Sequence, residues 1–91
     1  MKEDNTVAVH LGNEWDGKLF SRVHEALRVH QAVLVDKMAG VAGSQDIVRE
    51  EFAIGKDKIV LERETYMGIT ITGNETVVDK VNKTIEKLKY K

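Results

Sequence analysis

The sequence predicts an α+β fold: a two-layer α/β sandwich of order β-α-β-α-β-β-α, with a mixed sheet and its helices mainly on one face. Three patterns point there. Residues 6–11 and 58–72 hold apolar side chains at alternate positions, the period of a strand with one buried face. Residues 19–27 and 77–88 hold them at helical spacing. Between these lie the apolar run AVLV, the glycine-rich DKMAGVAGS and the amphipathic SQDIVREEFAI, which read as strand, turn and helix.

Each element has its own reason. Val7, Val9 and Leu11 share one face of the first strand, which Gly12 and Asn13 end. Asp16 is suited to cap a helix whose stripe is Leu19, Phe20, Val23, Ala26 and Leu27. Trp15 and Phe20 are spaced for a hydrophobic staple across that cap. Helical spacing can be continued to Met38, but the two valines in Ala32 to Val35 favour a second strand, buried on both faces. Ser44 then caps a second helix with Asp46 in its first turn, Ile47, Val48 and Phe52 in its stripe, and Gly55 as its stop.

Lys58 to Glu64 and Met67 to Thr72 form a hairpin with Ile59, Leu61, Ile69 and Ile71 inward. The last helix is capped by Thr72 or Asn74, carries Val77, Val78, Val81, Ile85 and Leu88, and gains an Asp79–Lys83 pair. Right-handed crossovers make the first three strands parallel where they neighbour, with the fourth antiparallel to the third.

Composition narrows the function. Ninety-one residues support one core, hence a single domain over 1–91. With 14 basic and 15 acidic residues and a net charge of −1, the chain lacks the overall positive field of most nucleic-acid binders. The absence of cysteine excludes a disulfide scaffold, a thiolate zinc site and a cysteine nucleophile. MKEDNT is no signal peptide, and no apolar run approaches the roughly 20 residues of a membrane span, so a cytoplasmic location without membrane contact is expected.

The favoured site is the loop into the second helix. Gly40 and Gly43 let the backbone turn and approach a ligand, the N–H groups of Gly43, Ser44 and Gln45 offer donors to a phosphate or carboxylate, and Lys37 is the nearest positive charge. The same residues also make an ordinary strand-to-helix turn, since no lysine follows as a P-loop requires. GVAG at 40–43, followed by SQDIVREEF, DKIVLERE, GITITG and NETVVDKVNKTIEKL, resembles a KH-type RNA-binding domain over the second half of the chain. The strand and helix order is also similar to the Alba family of archaeal nucleic-acid-binding proteins. Both resemblances imply a nucleic-acid ligand.

Two further readings stand beside this one. In GNEWDG, Asn13, Glu14 and Asp16 offer oxygen ligands at alternate positions, the first half of a calcium-loop pattern without its closing glutamate, to which Asp36 or Asp46 could contribute. Asp16 as a helix cap explains the same residue. The outer sheet face, carrying His10, Glu62, Thr70 and Thr72, suits a homodimer or another partner. No two histidines have the i,i+4 spacing of a helical zinc pair, and neither Ser21 nor Ser44 sits in a nucleophile elbow. The expectation is therefore a binding module with no catalytic residues and no cofactor beyond a divalent cation. Its ligand is RNA or another phosphate-bearing molecule, the alternatives being calcium binding through GNEWDG and an interaction protein.

Overall fold

A computed structural model describes residues 5–42 and 45–89. The order is β1 (Thr6–Gly12), α1 (Gly17–Val29), β2 (Val33–Ala42), β3 (Gln45–Ile54), β4 (Asp57–Glu64), β5 (Gly68–Asn74) and α2 (Glu75–Leu88). The strands form one sheet in the order β1-β5-β4-β3-β2, and every neighbouring pair is antiparallel.

This corrects the expected fold class. The segment 45–54 is strand β3, not a second helix, so the order is β-α-β-β-β-β-α and the sheet is not mixed. The cause lies in one residue. Val48, Glu50 and Phe52 face the helices, opposite Arg63, Leu61 and Ile59 of β4. A glutamate at the middle inward position breaks the apolar alternation, while Ile47, Val48 and Phe52 happen to satisfy helical spacing as well. Gly55, expected as a helix stop, sits at φ +60° in the β3–β4 turn, a conformation that glycine adopts without a Cβ penalty.

The core lies between the sheet and the two helices. Ile59, Leu61, Ile69 and Ile71 pack against Val23, Ala26 and Leu27 of α1 and Val78, Val81 and Ile85 of α2. The caps fix how the helices enter this layer. Asp16 Oδ1 accepts from Leu19 N at 2.9 Å, and Asn74 Oδ1 accepts from Thr76 N and Val77 N at 2.9 and 3.3 Å. Trp15 is almost fully exposed, so the expected staple to Phe20 does not form; Phe20 packs edge-on against His24 instead. His30 Nε2 donates to Thr84 Oγ1 at 2.8 Å and ties the end of α1 to α2. The Thr84 hydroxyl donates onward to the Lys80 carbonyl.

Among the described residues, no helix lies over the other sheet face. The strand registers align His10, Thr70, Glu62, Arg49 and Met38 in a row across all five strands, and Ala8, Thr72, Val60, Glu51 and Asp36 in the next. Among the described residues no helix is long and apolar enough to cross a membrane.

Candidate interaction surface

Strand β2 is the outer edge of the sheet, and its composition does not match its position. An AVLV run is built like a strand covered on both faces. Here Val33, Leu34, Val35, Met38 and Val41 are 61, 48, 56, 54 and 72% exposed. A β-bulge between Leu34 and Asp36 adds Val35 as an extra residue, so Leu34 and Lys37 share the helix-side face although three positions apart. Val33, Asp36, Met38 and Gly40 occupy the open face, opposite Ala53, Glu51, Arg49 and Ile47. The apolar surplus is therefore distributed on both sides of one unpaired backbone edge. The opposite edge, β1, is finished differently: Val7 and Val9 turn inward against the core while Thr6, Ala8 and His10 face out.

A charged cluster fastens this hairpin to the helix layer. Glu50 is 7% exposed, and its Oε1 lies 2.6 Å from His24 Nε2. The Phe20 carbonyl, 2.8 Å from His24 Nδ1, can only accept, so Nδ1 donates to it and Nε2 is the ring nitrogen that meets Glu50 Oε1. Lys37 Nζ approaches Glu50 Oε2 at 3.8 Å from β2. Both carboxylate oxygens thus face a partner, which is what permits a carboxylate to point inward. On the open face Glu51 is approached by Arg49 at 3.4 Å and Lys58 at 3.9 Å.

The expected phosphate site does not survive this arrangement as drawn. Gly43 and Ser44 lie outside the described residues. Lys37 and Gly40 are on β2 and Gln45 opens β3, so no helix N-terminus presents its amides and dipole there. Lys37 is engaged with Glu50, and Gln45 Nε2 donates to the Thr65 carbonyl at 3.4 Å. The pieces that carry the KH resemblance fall on the end of β2, on β3, β4 and β5, and on α2.

The calcium-like residues are placed on the β1–α1 loop, each accepting from a backbone amide. Asn13 Oδ1 receives Trp15 N at 3.0 Å, Glu14 Oε2 receives Tyr66 N at 3.2 Å, and Asp16 caps α1. Glu14 and Trp15 share a cleft of about 180 Å³ with Asp46, Val48, Arg63 and Thr65. Glu14 and Asp46 do converge there, as the sequence allowed, while Asp36 is on the far face. The Arg63 guanidinium, 4.7 Å above the Phe20 ring, supplies positive charge on the same wall. Among the described residues, no group of three or more His, Asp or Glu side chains gathers into a metal-binding set.

Sequence reasoning passed over two features that the structure brings forward. His24 and Glu50 are 26 positions apart, and no local pattern couples them. The uncovered β2 edge did leave a trace, since VLVDKMAGVA holds only two charged residues in ten. The run Ala32 to Val35 reads as buried, and although Ala32 does pack against the core, only the strand order reveals that no described strand lies beside Val33, Leu34 and Val35 on the outer side. The chain matches no protein-family model, and neither a curated protein nor a solved structure is significantly similar to it.

Proposed function

We propose that this chain is a non-catalytic interaction module that binds an extended polypeptide strand along the free edge of β2. The observation that carries this reading is the mismatch at β2: a strand composed for burial, ten residues long, with its large apolar side chains about half exposed or more. Natural sheets blunt their edges with charge, proline or short length, and a long apolar edge left bare is a template for another strand. Main-chain hydrogen bonds would supply affinity, and Leu34, Met38 and Val41 the side-chain contacts. A nucleic-acid ligand finds less support on this side of the molecule. On the open face Asp36, Glu51, Glu62 and Glu64 outnumber Arg49 and Lys58, so phosphates meet net negative charge there.

The test uses a fluorescein-labelled peptide copying residues 33–42, with its ends blocked. Its anisotropy should rise and saturate as the chain is added, with amide hydrogen exchange slowed along β2. A flat titration, or protection confined to another strand, overturns the reading.

A further inference from the structure

We infer that the natural occupant of the β2 edge is the β2 strand of a second copy of this chain, antiparallel and centred on Met38. This rests on the reading of β2 as a docking edge and adds the partner and the register. A two-fold dimer that continues one sheet keeps open face beside open face, so residues directly opposed across it must share a face. In the regular stretch after the bulge, residues sharing a face are two apart. Only self-centred registers then remain.

Charge and length choose among them. Centring on Asp36 sets two carboxylates face to face, and centring on Lys37 sets two ammonium groups together, both of which disfavour pairing. Centring on Ala39 sets Lys37 against Val41 and leaves Val35 without a partner, and centring on Gly40 shortens the ladder to Met38–Ala42, as the opposing strand runs out at Ala42. Centring on Met38 pairs Val35 through Val41, the bulge residue and the regular stretch after it. It sets Met38 against Met38, Val35 against Val41, Lys37 against Ala39 and Asp36 against Gly40 of the second copy. Each charge thereby faces a small residue, and Lys37 keeps Glu50 of its own chain at 3.8 Å. Of the apolar side chains that β2 leaves exposed, this register covers Val35, Met38 and Val41, and it extends the five-stranded sheet to twice its width.

The chain has no cysteine, so a single introduced thiol reports the register directly. In Met38→Cys the two thiols sit on directly opposed residues, whose Cα separation of about 4.5–5.5 Å suits a disulfide. In Val41→Cys, at a position more exposed than Met38, they lie about 20 Å apart. With oxidised glutathione as the oxidant, Met38→Cys should form linked dimer at least about tenfold faster than Val41→Cys. Sedimentation of the unmodified chain should show reversible dimer that Met38→Lys abolishes. Equal linkage at both positions overturns the register. A chain that stays monomeric at high concentration overturns the homodimer, while peptide binding to β2 in that case would leave the docking edge standing with a different partner.

Discussion

His24 of α1 and Glu50 of β3 meet at 2.6 Å, and this contact joins the hairpin to the helix layer at the middle of the inner face of β3. Phe20 and Phe52 close around the imidazole, with ring centroids 4.6 and 6.2 Å from it, so the pair is screened from water on two sides. His24→Ala leaves Glu50 with Lys37 alone and opens a space beside Phe52. The expected cost is about 2–4 kcal/mol of unfolding free energy, measured by urea denaturation. Glu50→Leu, which removes the carboxylate and keeps the volume, should cost far less. If both variants lose the same stability, the contact matters for its packing and not for its charge.

Across the open face, Asp36 stands directly opposite Glu51 in the β2–β3 ladder. Like charges at facing positions destabilise a sheet. Asp36→Thr should therefore gain about 0.2–1 kcal/mol, the range of cross-strand pairs. Thermal melts at low salt would display the gain, and added salt should shrink it by screening the repulsion in the parent chain. A loss of stability would mean that the Asp36 contact to the Lys37 amide, 2.9 Å long, outweighs the repulsion.

Two glycines separate a structural need from a ligand need. A Cβ on Gly73 would fall 2.6 Å from Ile59 Cδ1 and 2.8 Å from the Lys58 carbonyl oxygen, and the latter belongs to the backbone of the neighbouring strand. Gly73→Ala should cost about 1–3 kcal/mol by forcing β4 and β5 apart. A Cβ on Gly40 meets nothing within 4 Å, so Gly40→Ala should leave the melting temperature unchanged or slightly raised. Differential scanning calorimetry on the two variants decides this, and a destabilised Gly40→Ala would contradict the strand geometry of β2.

Asn74 ends β5 and caps α2 in the same residue, its side chain accepting from two amides. Asn74→Ala should lower stability by about 1 kcal/mol, which for a domain of this size is roughly 4–8 °C in Tm. Asn74→Asp should restore it, because a carboxylate also accepts from these amides and favours the positive end of the helix. Failure of the aspartate to rescue would place the role of Asn74 in strand pairing with Thr6.

How far the chain was legible in advance varies along it. Local patterns located β1, α1, β4, β5 and α2, because each has a single buried face whose period survives in the sequence: Val7 and Val9, Val23 and Leu27, Ile59 and Leu61, Ile69 and Ile71, Val81 and Ile85. The hairpin of β2 and β3 lacks such a signature. β2 has apolar residues on both faces, and β3 has Glu50 where its alternation needs an aliphatic side chain. The phosphate site imagined at 37–45 depended on reading β3 as a helix, so it fell with that reading. Glu14 and Asp46 converge on one cleft, a meeting that spacing alone could suggest but not establish.

The sequence by itself determined α1 with its cap at Asp16, α2 with a cap at Thr72 or Asn74, and the buried set of β4 and β5, while the further helix it suggested over 45–54 is strand β3. These depend on neighbours a few residues apart, and short-range chemistry fixes them. The tertiary structure decided what 45–54 is, because an inward Glu50 is tolerable only where His24 and Lys37 reach it from other elements. It also decided that β2 lies at the edge. Exposure is set by which strand lies alongside, and that is a property of the whole sheet that no segment of the chain contains.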